Sequence, residues 1–162
     1  MAAGDMALSD IEPHKLPHHQ ELEVRSALAL ARGDIAAAFR LADRRCRIRP
    51  LPQCHSHVLR ADALFRMGDR LAAVADLVTA LDIAPDDIAA NRRMMSWGDA
   101  EQRAAAARRL VENEHDMRAL YQAANMLRRA GQSDIARIEL HDDLIEGWAT
   151  WKSGIQLRIV VH

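Results

Sequence analysis

Aromatic residues are scarce in this chain, 4% of 162 residues, although 49% of the residues are hydrophobic. Ala and Leu therefore carry the apolar content, a balance that suits close helix-on-helix contact and argues against a sheet-based fold. Cys46 and Cys54 are the only cysteines, and the start of the chain lacks a basic segment followed by an apolar run of signal length, so a reduced, cytoplasmic setting is expected. No uninterrupted apolar run approaches the roughly 18 residues needed to span a bilayer, which excludes a transmembrane helix. A formal net charge of −1 gives no global attraction to nucleic acid or anionic membrane. No Ser/His/Asp arrangement, glycine-rich phosphate loop or paired-carboxylate motif stands out, and His141, Asp142 and Asp143, adjacent along a helix end, point in different directions. A non-enzymatic chain without cofactor or metal is expected.

Four glycine-led turns recur instead: Gly33-Asp34, Gly68-Asp69, Gly98-Asp99 and Gly131 with Ser133-Asp134, at intervals of 35, 30 and 33 residues. Self-similarity at that period marks an array of helical hairpins. Residues 1–17, with Gly4, Pro13 and Pro17, read as a flexible lead. From His18, apolar residues at helical spacing (Leu22, Ala27, Leu28, Leu30, Ala31) run to Gly33. Asp34 can cap a second helix (Ile35, Ala38, Phe39, Ala42, Cys46) that Pro50 and Pro52 stop. The second hairpin runs from about Gln53 to Arg66, turns at Gly68-Asp69 and returns from Leu71 to Pro85. A shorter third hairpin spans about Asp86 to Trp97 and Ala100 to Asn113. The fourth, capped by Asp116, covers Met117 to Leu127 and a last helix from Ser133 to about Leu144. Eight helices are expected. Beyond Gly147, the β-branched and partly alternating run Ile155, Leu157, Ile159, Val160, Val161 reads as a strand over 155–161, or as a tail laid along the last helix. An unpaired strand would invite another chain.

The second hairpin resembles a tetratricopeptide repeat at Ala61, Leu64, Gly68, Ala73, Leu77, Ala80, Leu81 and Pro85. The first hairpin repeats Gly33, Ala38 and Pro50 at the same offsets, and the fourth repeats Gly131, Ala136, Leu140 and Leu144, so the resemblance spans about 18–144. It departs from the family pattern at His57, where a large aromatic is usual, and in the short third unit. The implied fold is all-α, a right-handed α-solenoid of about four helix-turn-helix hairpins over 18–146, with an extended or β tail at 147–162. Around Gly147-Trp148-Ala149 and Gly154 to Val161 the tail resembles the start of a β-rich domain found in bacterial multidomain proteins, glycosyltransferases being one possible companion.

In that family the first helices line a concave groove. The resemblance assigns to it Glu23 in the first unit, His55, Val58, Asp62 and Phe65 in the second, Arg92 in the third, and Arg118, Tyr121, Asn125 and Arg128 in the fourth. Such a set suits an extended peptide or partner helix of some acidic character, since Arg forks to carboxylate and flat aromatic surface favours hot spots. The function implied is a protein-interaction scaffold. The alternatives are a regulatory or acceptor-recruiting N-terminal domain of a larger bacterial enzyme such as a glycosyltransferase, and a self-associating module that dimerises through the C-terminal strand. The carboxylate clamp of some family members is absent, its places holding Glu23, Ala27, Val58 and Asp62. The basic run Arg40, Arg44, Arg45, Arg47, Arg49 puts Arg40, Arg44 and Arg47 on one helical face; with Asp43 nearby and no interleaved aromatics, a solvated face with local ion pairs is the better reading than nucleic-acid binding. Cys46, Cys54, His55 and His57 are zinc-ligand types at poor spacing, with Cys46 at an apolar core position, and His14, His18 and His19 lie in a context that holds no geometry.

Overall fold

The computed structural model describes residues 18–48 and 53–132 in full, and the backbone of 136–141, 149–150 and 156–161. The lead 1–17, Pro50, Pro52, Leu144 and Gly147-Trp148 lie outside the described residues. The fold is helical: α1 (His18–Arg32), α2 (Ile35–Cys46), α3 (Cys54–Arg66), α4 (Arg70–Ile83), α5 (Ile88–Trp97), α6 (Ala100–Asn113) and α7 (Met117–Arg129). No described helix is long and apolar enough to cross a membrane.

The helix boundaries follow from short-range chemistry. Asp34, Asp69, Asp87, Asp99 and Asp116 each stand at an N-cap, and each carboxylate accepts the backbone N–H three residues on, so one otherwise unpaired donor is satisfied at each of these five starts, whereas Gln53 before α3 makes no such bond. At α6 the cap is reciprocal, because Gln102 also accepts from the Asp99 N–H. Three turns share one construction. Gly33, Gly68 and Gly131 have φ of +80°, +91° and +74°. At each, the glycine N–H bonds a carbonyl three residues back and the next N–H bonds one five back, as in Asp34 N to Ala29 O at 2.9 Å and Asp69 N to Leu64 O at 3.0 Å. Gly98 differs. Its φ is −65°, and it is required for closeness, since a Cβ there would lie 2.9 Å from the Met94 carbonyl oxygen and from Gln102 Cβ.

The chain divides into two compact units, 1–85 and 86–162. In the first, α1 packs on α2, α2 on α3 and α3 on α4, and α1 also meets α3. Small side chains let these backbones approach: Ala38, Ala61, Ala63, Ala73 and Ala80 are wholly buried, with Leu77 filling the space between. Ser26, also wholly buried, donates to the Ala38 carbonyl at 2.9 Å and ties α1 to α2. Arg66 reaches back to the Leu30 carbonyl at 2.7 Å, satisfying an acceptor at the end of α1. In the second unit α5 packs on α6 and α6 on α7, again around alanines (Ala106, Ala107, Ala123, Ala124) with Leu110 and Leu127.

Of the eighth helix expected from Ser133 to about Leu144, the described residues 136–141 form a β-strand. The backbone of Ala136–His141 (β1) is extended, and it pairs antiparallel with Gln156–Val161 (β3), which also pairs with Ala149–Thr150 (β2). The physical reason lies in the alternation of Arg137, Glu139 and His141 with Ile138 and Leu140, a period of two that outweighs the spacing seen at Ala136 and Leu140.

Candidate functional site

The polar chemistry of the first unit gathers on the side of α3 that faces α2 and α4. Arg60 holds Asp76 of α4 in a two-pronged grip, Nε to Oδ2 at 2.7 Å and Nη2 to Oδ1 at 2.6 Å, and its Nη1 donates to Asp43 Oδ1 of α2 at 2.9 Å. His57 donates from Nδ1 to Asp76 Oδ1 at 3.2 Å. Arg47 completes the chain of charges by pairing with Asp43 Oδ2 at 2.8 Å. Asp76 is 7% exposed, so its charge must be matched inside the protein.

The protonation states follow from this arrangement. The Asp76 hydrogen bond raises the His57 pKa to about 9, helped by Cys46 and opposed by burial, so the imidazole is cationic at neutral pH. Burial alone would push the Asp76 carboxyl up, but Arg60 and His57 together hold it below its ordinary value. A histidine that keeps its proton through neutrality is a poor general base, and both oxygens of Asp76 are already taken. The cluster is an ionic clasp joining α2, α3 and α4.

Beside the clasp lies an open groove of about 450 Å³, lined by Phe39 and Asp43 of α2, Arg60 and Leu64 of α3, and Ala72, Ala75, Asp76 and Thr79 of α4. A second internal network lies across α1, α2 and α3, where Glu23 Oε1 accepts from Arg45 Nε at 3.1 Å and from Ser56 Oγ at 2.7 Å.

The side chains assigned to a first-helix groove are placed variously. Val58 is 2% exposed and belongs to the core, so it offers nothing to a partner, because its side of α3 is already covered. Glu23 is consumed by the network just described. His55 and Phe65 are exposed on α3, and Asp62 is half-buried there. In the second unit, Arg92 is committed to Glu114, with Nε to Oε2 at 2.6 Å, while Arg118 and Arg128 are exposed and Tyr121 and Asn125 half-buried along α7. Arg45, read as part of a basic surface run, is 3% exposed and serves Glu23 instead. Neither cysteine is in a disulfide, and among the described residues no group of three or more His, Cys, Asp or Glu is placed to hold a metal ion. Glu114 also fixes the entry to α7, because its Oε1 accepts the N–H groups of His115 and Asp116 at 2.8 and 2.9 Å. Burial acts to raise its carboxyl, yet these N–H groups and Arg92 leave it below the ordinary value.

The clasp and groove are features that spacing did not reveal. Positions 57, 60 and 64 fall about half a turn around α3 from 55, 58, 62 and 65, so a search for a first-helix face passes them by. Comparison with family models, curated proteins and solved structures returned no match.

Proposed function

We propose that the chain is a cytoplasmic protein-interaction module, built from helical hairpins stacked in the manner of tetratricopeptide repeats, and that it works by binding rather than by catalysis. One observation carries this reading. Among the described residues the exposed large hydrophobic side chains, Phe65, Met67, Leu71, Val78 and Ile83, all fall within one hairpin, α3 and α4. Large apolar side chains left uncovered on one hairpin and on no other described element offer surface that a partner can bury. The shared turn geometry at Gly33 and Gly68 supports two like helical hairpins, α1–α2 and α3–α4, within the first unit.

Affinity capture with the full chain, from a lysate of cells that express it, tests the reading. The expected result is a partner enriched over a control bait, which then binds the purified chain saturably in titration. Purified chain that binds no enriched protein saturably overturns the reading.

A further inference from the structure

Helix α4 has an unusual composition for a surface helix. From Leu71 to Ile83 it carries Leu, Val, Ile or Ala at nearly every position, with Asp76, Thr79 and Asp82 as exceptions. A helix apolar around its whole circumference is expected to be covered on all sides. Here one side is not, since Leu71 is 87% exposed and Val78 40%. Leu71, Ala75 and Val78 stand at i, i+4 and i+7 and form a stripe along the helix. Ala75 also walls the groove, so this stripe is the groove's α4 edge.

The opposite edge has the opposite character. Arg40 and Arg44 each stand one position after Phe39 and Asp43, the α2 residues that line the groove, about 100° further around the helix, and both are exposed. Arg47 is committed to Asp43. Among the described residues neither Arg40 nor Arg44 has an ion-pair partner. The surface thus reads, from one edge to the other, as two cations, a trough and an apolar stripe at helical spacing.

We propose that the groove between α2 and α4 docks an acidic amphipathic helix of a partner protein. The proposal rests on the interaction reading above and names the face and the partner's chemistry. The partner's apolar residues enter the trough beside Phe39 and Leu64 and cover Leu71 and Val78, while its carboxylates face Arg40 and Arg44. Charge complementarity selects a polypeptide of negative sign. The geometry disfavours a flat anionic bilayer, because a planar surface cannot enter a trough walled by two helices. This docking face lies on the other side of α3 from the first-helix set that contains His55 and Phe65.

A fluorescein-labelled helical peptide of about 18 residues, with Leu at i, i+4 and i+7 and Glu on its remaining face, is titrated into the full chain and followed by anisotropy. A Lys-for-Glu version of the same peptide is run in parallel. The expected result is micromolar binding of the acidic peptide and binding weaker by about tenfold or more for the basic one. Arg40→Glu/Arg44→Glu and, separately, Leu71→Asp should each weaken the acidic peptide by about tenfold or more, while Phe65→Ala leaves it within about twofold. All three sites are exposed, and circular dichroism shows that each variant is folded. Absence of acidic-peptide binding, equal binding of both peptides, or indifference to the α2 and α4 changes overturns the proposal. So does binding to phosphatidylserine vesicles without binding to the peptide, or a dimer that the peptide does not dissociate. A captured partner that is lost with Phe65→Ala yet kept with Leu71→Asp removes the docking face and leaves the interaction reading standing. Failure of capture by the wild-type chain removes the interaction reading itself.

Discussion

Arg60 and Asp76 meet through two parallel hydrogen bonds of 2.7 and 2.6 Å, joining α3 to α4 where Asp76 is all but hidden from water. The pair is not isolated, because His57 approaches the same carboxylate and Asp43 takes the third arm of the guanidinium. Removing the central anion would leave Arg60 without its main counter-charge and His57 without the bond that raises its pKa.

Asp76→Asn is accordingly expected to lose about 2 to 3 kcal/mol of stability, the partial exposure of Arg60 bringing the cost below the roughly 3 to 5 kcal/mol of a fully buried broken ion pair. Equilibrium urea unfolding of the full chain measures it. A change under about 0.5 kcal/mol, the size of an ordinary surface substitution, would show that the clasp holds nothing together.

The same clasp gives stability a dependence on alkaline pH. The His57 pKa rises on folding from 6.5 to about 9, so its contribution is complete below pH 6.5 and disappears as pH climbs through about 9. The groups facing it are Asp76, ionised throughout this window, Arg60, cationic throughout, and the Cys46 thiol, so the comparison is made on a Cys46→Ala background. Unfolding free energies should fall between pH 6.5 and 9, and His57→Gln should flatten the slope. An identical slope in both chains would disprove the assignment.

Gly68→Ala and Gly98→Ala should fail for different reasons. At Gly68 the added methyl meets nothing within 4 Å, so the cost is the left-handed backbone, about 1 kcal/mol. At Gly98 the backbone is ordinary but the methyl lies 2.9 Å from the Met94 carbonyl oxygen of α5 and from Gln102 Cβ of α6, and relief requires shifting the backbone at the α5–α6 junction, about 1 to 3 kcal/mol. Thermal unfolding of the two variants should rank Gly98→Ala below Gly68→Ala. The reverse order would contradict the close-approach account.

Glu114→Gln tests how α7 is started. The charged carboxylate takes two backbone N–H groups and Arg92 together, and the neutral amide weakens all three bonds. Amide hydrogen exchange at His115 and Asp116 should quicken by about tenfold, corresponding to about 1.4 kcal/mol of local opening. Unchanged protection would mean that Asp116 starts the helix unaided.

How much of the molecule is legible in its sequence depends on sequence range. Helix ends at Gly33, Gly68 and Gly131 and starts at Asp34, Asp69 and Asp116 are legible, because each is decided by contacts within five residues. The clasp is not, since Asp43, Arg60 and Asp76 come from three helices and each pairing spans 16 or 17 residues. His57 stands out in the sequence only as a departure from an aromatic position; its role becomes visible once α4 brings Asp76 beside it. Val58 and Arg45 are misplaced by the same reasoning, because one helical face cannot be told from another until neighbouring helices have claimed theirs. At 136–141 the difficulty is of another kind, with alternating polarity competing against helical matches at two positions.

Five aspartates that each open a helix by binding an amide three residues on have an evolutionary corollary. Instructions so brief are carried whole when a stretch of coding sequence is copied or excised by recombination. A lineage built this way can lengthen or shorten one hairpin at a time, and it is the long-range contacts, the clasp above all, that must be reinvented after each such event.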